Sequence, residues 1–215
     1  MLDLIIVFKE EFEDKTEIDA EAKRYADAGY TVVVAERGRN GDADISSRNF
    51  SGIKNEHNQH GYRQFSIKFN DVDIMNSLAD LGWPVSIKTY PDDPDNPVGF
   101  MTVFVNYENP KKLPKIKSYA TMPDGQVKEN IIYPETVGDL DKADINAIRV
   151  HVTLYEGTNK YTNKPYLKVY LVDMSFNIVP EKPSIFDGDK RAKNAIKSVN
   201  IPGYQDENDL PFDAQ

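Results

Sequence analysis

Short runs of alternating hydrophobic and polar residues, the pattern of β-strands, occupy most of this chain, and a helical pattern interrupts them near its start. The apolar run Leu2 to Phe8 predicts a buried strand, and the β-branched run Thr31 to Ala35 predicts a second. Between them, a capping-box pattern beginning at Thr16 and a glycine at Gly29 delimit a predicted helix. Arg37 to Ser47 is expected to be a loop. Residues 1–45 therefore form a strand-helix-strand extension that is too small to fold alone.

From Arg48 onward, strands recur at regular spacing between turn residues, as in an antiparallel barrel or sandwich. One helix is predicted in this part, Val72 to Leu81, and the proline- and aspartate-rich stretch Pro91 to Pro97 is expected to be an exposed loop. The predicted strands are Tyr62 to Phe69, Val85 to Tyr90, Gly99 to Tyr107, Lys115 to Thr121, Ile148 to Tyr155 and Tyr166 to Phe176. We therefore expect a mainly β (α+β) domain over residues 46–182.

After Phe176 the apolar pattern fades. The last dozen residues, Tyr204 to Gln215, offer too little apolar surface to offset the entropy of ordering them. Residues 183–215 are therefore predicted to be a flexible tail.

The formal net charge of −9 is unevenly distributed along the chain. Residues 1–45 carry a net charge of −6 and residues 204–215 a net charge of −4, whereas the part between them carries +1. A near-neutral body can still present a basic face if its lysines lie on one side. The overall acidity does not exclude a nucleic-acid-binding protein.

The chain contains no cysteine, so disulfides and thiolate metal sites are excluded. The three histidines, His57, His60 and His151, make a poor zinc set, and no cofactor is expected. No apolar stretch approaches the ~18 residues of a membrane span, and the first residues lack the features of a signal peptide. A cytoplasmic location is expected.

Cations and tyrosines share one face of three predicted strands. The inward sets are Ile148, Val150, Val152 and Leu154 in one strand and Leu167, Val169 and Leu171 in another. The corresponding outward sets are Arg149, His151, Thr153 and Tyr155, then Tyr166, Lys168 and Tyr170, with Lys115, Lys117 and Tyr119 sharing a face of a third strand. Such faces let phosphates pair with charge while bases stack on rings. The alternative is an ordinary polar surface.

Further cations are expected in loops beside these strands. Lys111 and Lys112 complete the densest basic run of the chain, and Lys160, Tyr161 and Lys164 lie in or beside a predicted hairpin loop. They extend the predicted binding groove, although each lysine alone could serve solubility. The large apolar residues assigned to the core are Phe65, Ile67, Phe69, Trp83, Phe100 and Phe104, with a ligand-facing Trp83 as the alternative.

The segment Asp206-Glu-Asn-Asp-Leu-Pro-Phe212 resembles the tip of bacterial single-stranded DNA-binding proteins, in which acidic residues precede an aliphatic residue, proline and phenylalanine. The resemblance implies docking onto partner proteins through Asp206, Glu207, Asp209, Leu210, Pro211 and Phe212. The carboxylates would steer toward a basic pocket, proline would limit chain entropy, and phenylalanine would fill an apolar hole. In the bacterial proteins the phenylalanine is terminal, whereas three residues follow Phe212 here. Either Asp213 substitutes for the terminal carboxylate, or the partner's pocket differs.

A second resemblance covers Arg48 to Phe176. Asn49 to Gly52, Gly61 to Phe65, Leu78 to Val85 and Leu140 to Ile145 together resemble the single-stranded DNA-binding proteins of tailed bacteriophages. This resemblance implies an OB-type antiparallel β-barrel that coats phage DNA during replication, recombination or repair. Residues 1–45 lie outside it and would serve as an added sheet edge, a dimer contact or a partner surface.

The sequence thus predicts a non-enzymatic protein that binds single-stranded DNA, recruits replication or recombination proteins and could form homo-oligomers. A nuclease metal cluster is disfavoured because the candidate acids lie where exposed aspartate is expected anyway; they are Asp71, Asp73, Asp92, Asp93 and Asp95. Two alternatives stay open: an interaction protein that mimics DNA and binds host replication factors, and an OB-fold protein that also binds duplex DNA.

Overall fold

Strands account for most of the computed structural model, which describes residues 2–9, 15–38, 40–56, 58–121 and 126–178. The elements in chain order are β1 Leu2–Lys9, α1 Lys15–Asp27, β2 Thr31–Glu36, β3 Ala43–Asn49, β4 Gln64–Phe69, α2 Val72–Asp80, β5 Ser86–Tyr90, β6 Asp93–Phe104, β7 Lys115–Thr121, β8 Val127–Ile132, a 3-10 helix Val137–Asp141, β9 Ile145–Thr158 and β10 Pro165–Ile178. The predicted mainly β class is confirmed. The predicted tail, residues 183–215, lies outside the described residues.

The strands form one sheet in the order β2-β1-β9-β10-β6-β4-β3, with β5 paired to β6 and β7 joining β10 to β8. The sheet is open in the described part of the chain, where an isolated bridge between Arg37 and Ala43 connects the residues after β2 with the start of β3. It is mixed rather than purely antiparallel, because β1 pairs with β2, and β10 with β6 and β7, in parallel. Helix α1 provides the crossover that a parallel β1–β2 pair requires.

Residues 1–45 contribute directly to this sheet. Strand β1 pairs antiparallel with β9, from Leu2 opposite Leu154 to Val7 opposite Arg149. Of the three roles considered for this segment, an added sheet edge is therefore the one the structure displays. Neither α1 nor α2 is long and apolar enough to cross a membrane.

Alternate residues of the strands pack into one hydrophobic core, which includes Leu4, Ile6, Phe65, Ile67, Phe69, Trp83, Met101, Val103, Val150, Val152, Val169 and Phe176. The predicted burial of Phe65, Ile67, Phe69 and Trp83 is confirmed. The assignment of Phe100 and Phe104 to the core was wrong, because the neighbouring residues Met101 and Val103 are buried and the strand alternates. Both rings lie on the outer face, by which we mean the face of the sheet opposite the core.

The predicted inward sets of β9 and β10 are confirmed except at Ile148 and Leu167. Ile148 is skipped in the ladder, since Arg149 pairs with Ser175 and Ala147 with Phe176, and Ala147 is buried in its place. Leu167 is 46% exposed because it precedes Val169, where β6 begins to pair with β10.

Two predicted loops contain strand. The loop expected over residues 37–47 includes the start of β3, where Ala43 pairs with Phe69. The stretch 91–97 is exposed as predicted, but β6 already begins at Asp93. Its prolines are tolerated because residues 93–98 of β6 pair with β5 and not with β4, whose ladder begins at Gly99. Strand β8 and the 3-10 helix were not predicted.

Candidate nucleic-acid interface

Three aromatic rings lie against Lys168 on the outer face of the sheet, and two more contact these rings. We call this group of five the aromatic patch: Tyr62, Phe104, Tyr155, Tyr166 and Tyr170. The strand registers bring its members together. Tyr155 on β9 lies opposite Lys168 on β10, and Phe104 on β6 lies opposite Tyr170. Residues that are paired across neighbouring strands project to the same face, so three strands contribute to one surface.

The rings of the aromatic patch are in contact with each other and with the lysine. The Lys168 Nζ atom lies 5.0 Å from the ring centre of Phe104, 5.6 Å from that of Tyr166 and 5.8 Å from that of Tyr62. Ring centres are separated by 6.1 Å for Phe104 and Tyr170, 6.2 Å for Tyr155 and Tyr170, and 6.3 Å for Tyr155 and Tyr166. The patch is therefore a continuous aromatic surface with a positive charge at its centre.

Much of this aromatic surface is open to solvent. Tyr62 is 46% exposed, Tyr155 48% and Tyr166 36%. No carboxylate of the described residues lies within ion-pair distance of Lys168, so its charge is available to an external anion. Contiguous exposed aromatic surface is uncommon in a soluble domain unless a ligand covers it.

The Tyr170 hydroxyl stays neutral at physiological pH. Burial raises its pKa, and the neighbouring Tyr166 and Tyr155 hydroxyls raise it further. The Tyr170 hydroxyl therefore adds no negative charge that would repel a phosphate.

Gly157 on β9 makes room for two of the exposed rings. A Cβ atom at this position would lie 2.7 Å from Cζ and Oη of Tyr166 and 2.8 Å from Cε1 of Tyr155. Both rings thus rest against the bare glycine backbone. Because the crowded atoms are the far ends of flexible side chains, an added methyl group would displace the rings rather than the strand.

We expect Gly157→Ala to leave folding stability within about 0.5 kcal/mol of the native protein, as for most surface substitutions. Its affinity for oligothymidine should fall by about five-fold, the effect of partly losing one stacking position. Thermal unfolding and fluorescence titration measure the two quantities, with Thr158→Ala as the control at the next position. Native affinity in Gly157→Ala would show that the two rings do not carry the ligand.

Arg149 and His151 lie on the same outer face, but helix α1 and its flanking residues cover them. Arg149 donates hydrogen bonds to Asp173, at 2.9 Å, and to the Tyr25 hydroxyl. The His151 Nδ1 atom lies 3.0 Å from an Asp173 carboxylate oxygen, and its ring packs edge-on against Tyr30. We call these five residues the clasp. They join the β1-α1-β2 unit to the sheet, and their charges are compensated within the protein.

The Asp173 carboxyl is ionised in the clasp. Burial alone would raise its pKa, but hydrogen bonds and charges from His151 and Arg149 more than offset this effect, and the pKa is lowered. Glu21 at 3.6 Å from Arg149 and Asp3 at 3.6 Å from His151 add further carboxylates. This part of the outer face therefore lacks a free positive charge that could bind phosphate.

Strand β8 neutralises a second group of predicted contacts. The Glu129 carboxylate accepts hydrogen bonds from Lys117, at 2.8 Å, and from the Tyr119 hydroxyl, at 3.1 Å. These hydrogen bonds raise the pKa of Lys117 and lower that of Glu129. Lys117 and Tyr119 do share a face as predicted, but together with an acidic partner.

The loop residues fall into two places. Lys111 and Lys112 lie in an exposed turn that leads to Lys115 at the start of β7. Lys160, Tyr161 and Lys164 form the tip of the β9–β10 hairpin, where Tyr161 is 98% exposed. The Asn159 carboxamide oxygen accepts hydrogen bonds from the backbone of Tyr161 and Thr162, which fixes this turn. Because Tyr166 follows Lys164 by two residues, the tip continues directly from the aromatic patch.

One of the acidic residues considered as metal ligands has a structural role. Asp71 caps α2 by accepting a hydrogen bond from the Ile74 backbone at 2.8 Å. Within the described ranges no group of three or more histidines or carboxylates is arranged to hold a metal.

A groove of about 280 Å³ lies beside β7 and β8, where Leu113, Ile131 and Tyr133 give it a mostly apolar lining.

Two members of the aromatic patch were not predicted to be binding residues. Phe104 was assigned to the core because both alternating sets of β6 are largely apolar. Tyr62 was predicted to begin a strand but was assigned no role in binding; in the structure it precedes β4. The sequence signal for Tyr62 was its position in the motif Gly61 to Phe65, which served only to indicate the family and not the binding residues.

A surface of exposed, contiguous rings around a cation on a β-sheet is typical of proteins that bind single-stranded nucleic acid by base stacking. Comparison with protein families gives the same class: the model described as "Putative phage ssDNA-binding domain" matches residues 32–207. The chain belongs to this family and is a phage single-stranded DNA-binding protein, as its sequence resemblance predicted. The match begins in β2, so β1 and α1 lie outside it. The comparison with curated proteins gave no match, and neither did the comparison with solved structures.

Proposed function

We propose that the protein coats single-stranded DNA during phage replication, recombination or repair, without catalysis, in the cytoplasm of the bacterial host. Bases stack on the aromatic patch, and Lys168 together with the hairpin lysines Lys160 and Lys164 neutralises phosphates. The observation that carries this proposal is the exposed ring cluster around Lys168. A surface that stacks any base suits coating, because every base has a π-face and no sequence is selected.

The predicted contacts have different roles in this proposal. Tyr155, Tyr166, Lys168 and Tyr170 form its centre, joined by Tyr62 and Phe104. Lys111, Lys112 and Lys115 extend the basic surface near β7. Arg149 and His151 belong to the clasp and support the site indirectly. Lys117 and Tyr119 are bound to Glu129 and have no direct contact with DNA in this proposal.

The scaffold proposed for this surface is an OB-type barrel. Supporting it are a single enclosed hydrophobic core and the bridge between Arg37 and Ala43, which lies where the two ends of the strand order approach each other. In such a fold, oligonucleotides bind to one curved face of the sheet and to adjacent loops.

Partner recruitment is assigned to the acidic segment 206–212, whose residues lie outside the described structure. Its order of carboxylates followed by leucine, proline and phenylalanine suits docking into a basic-rimmed apolar pocket of a replication or recombination protein. A chain ending at Tyr204 should bind DNA but fail to capture such a partner.

Coating is tested by titrating long polythymidine with the native chain and challenging the complex with a single-strand nuclease. We expect saturation at a fixed number of nucleotides per protein and full protection of the DNA. A hairpin duplex should compete poorly. Absence of saturable binding would overturn the proposal in favour of a DNA mimic, and equal competition by the hairpin would favour a duplex-binding protein.

The salt dependence of binding identifies the phosphate contacts. For single strands the slope of log affinity against log salt is about −0.7 per phosphate neutralised. Lys168→Gln should therefore make the slope about 0.7 units shallower and weaken binding most at low salt. The matched control is Lys117→Gln, which removes a lysine already paired with Glu129 at 2.8 Å and should leave the slope unchanged. A shallower slope for the control alone would place the DNA on β7 instead.

A further inference from the structure

The outer face of β6 continues beyond the aromatic patch to a second ring with its own cation. Phe104, Thr102 and Phe100 alternate on this face. The Lys88 Nζ atom on β5 lies 5.3 Å from the ring centre of Phe100, and Lys68 on β4 is the cross-strand partner of Phe100. Phe100 is half-buried, so part of its side chain is open to the solvent.

We propose that Phe100, Lys88 and Lys68 form a second nucleotide-stacking site, so that one DNA strand runs along β6 from the aromatic patch to Phe100. This inference rests on the proposed function. Phe104 and Phe100 are four residues apart, about 13 Å at the rise of a β-strand. The lysine-on-ring arrangement of Lys168 and Phe104 is thus repeated by Lys88 and Phe100 on the same strand.

The residues between the two rings leave the path clear. Thr102 lies between them on β6, and its cross-strand partner on β4 is Ser66. Both side chains are short, so a chain of nucleotides can pass from one ring to the other without crossing a bulky group. Their hydroxyls can donate hydrogen bonds to the phosphates that link the stacked bases.

Carboxylates beyond Phe100 and beside Lys68 limit how far the proposed DNA path can extend past the second site. The tip of the β5–β6 hairpin carries Asp92, Asp93 and Asp95, whose carboxylates repel phosphates. Beside Lys68, Asp44 is the register partner on β3, and its carboxylate accepts a hydrogen bond from the Ile45 backbone at 2.8 Å. Lys88 has no carboxylate of the described residues within ion-pair distance, which makes it the principal phosphate contact of this second site.

The test compares Phe100→Ala with the native chain on two thymidine oligomers: one of about two nucleotides, too short to span the ~13 Å between the two rings, and one of about twelve, within the range that one module covers. The short oligomer fits the aromatic patch alone, whereas the long one reaches Phe100. Phe100→Ala should bind the long oligomer at least about five-fold more weakly and the short one as tightly as the native chain. Ile87→Ala is the matched control, because Ile87 is 47% exposed and projects to the opposite face of β5.

Lys88→Gln provides a second readout that does not depend on a ring at the sheet surface. It should make the salt slope shallower by about 0.7 for the long oligomer only. Unchanged binding of the long oligomer by Phe100→Ala, or equal losses for both oligomers, would overturn the second site. If the native chain bound neither oligomer, the proposed function itself would fail, so the two failures are distinguishable.

Discussion

Replacing Tyr155 and Tyr166 together by alanine is expected to weaken oligothymidine binding by roughly thirty-fold or more, corresponding to about 2 kcal/mol from two stacking positions. Both rings are substantially exposed and neither belongs to the hydrophobic core, so folding should be retained. Fluorescence titration at low salt measures the loss, and thermal unfolding verifies the fold.

Tyr133→Ala is the matched control for this double substitution. Tyr133 is 52% exposed but follows β8, which is separated from β10 by β7. Its removal should leave DNA affinity unchanged. If the control lost as much affinity as the double variant, the DNA would lie beside the β7–β8 groove and not on the aromatic patch.

Asp173→Asn is expected to lower the free energy of unfolding by about 1–3 kcal/mol, because Arg149 and His151 would each lose a charge-assisted hydrogen bond in a half-buried setting. Urea denaturation at neutral pH measures this effect. Asp95→Asn, an exposed change in the β5–β6 hairpin, should change stability by less than about 0.5 kcal/mol. Equal stability of the Asp173 variant and the native chain would contradict the structural role of the clasp.

The stabilisation from Asp173 should depend on pH in a defined direction. Its pKa is lowered in the folded protein, so the contribution is fully present above the unfolded value of about 3.9 and is lost as the pH falls through the lower folded value. The stability difference between the native chain and Asp173→Asn should therefore shrink as the pH falls below about pH 4. The charged groups that face Asp173 and its partners are Arg149, His151, Glu21 and Asp3.

Alternation along β9 and β10 was sufficient to place the residues at the centre of the aromatic patch on one face. Apolar residues occupy every second position and face the core: Val150 and Val152 on β9 and Val169 on β10. Because side chains alternate along a strand, Tyr155, Lys168 and Tyr170 face outward. The prediction failed where local geometry breaks the period. The bulge at Ile148 is invisible in the sequence because Ala147 is equally compatible with burial.

The sequence could not place Phe100 and Phe104 because two apolar sets alternate along β6. Met101 and Val103 could face outward as well as inward by hydrophobicity alone. The choice is made by pairing with β4, in which Phe65 lies opposite Val103 and both are buried. General burial preferences for aromatic residues therefore gave the wrong face, since they ignore cross-strand partners.

Helix α1 and the residues after it contact side chains that the strand pattern placed on the correct face, so these side chains are not free to bind a ligand. Arg149 and His151 do lie on the predicted face, but Tyr25 and Tyr30 come from a segment more than a hundred residues earlier. Similarly, Glu129 reaches Lys117 from β8, whose polar residues Lys128 to Asn130 interrupt any apolar run. Such long-range neighbours decide which cations remain free, and no local pattern encodes them.

The path of the DNA can be located directly by photo-crosslinking. An oligothymidine that contains 5-iodouracil is bound to the native chain and irradiated, and crosslinked peptides are then identified by mass spectrometry. Crosslinks are expected at Tyr155, Tyr166 and Tyr170, with none at Tyr133. Crosslinks confined to Tyr119 and Tyr133, with the aromatic patch unmodified, would contradict the claim that this patch binds single-stranded DNA.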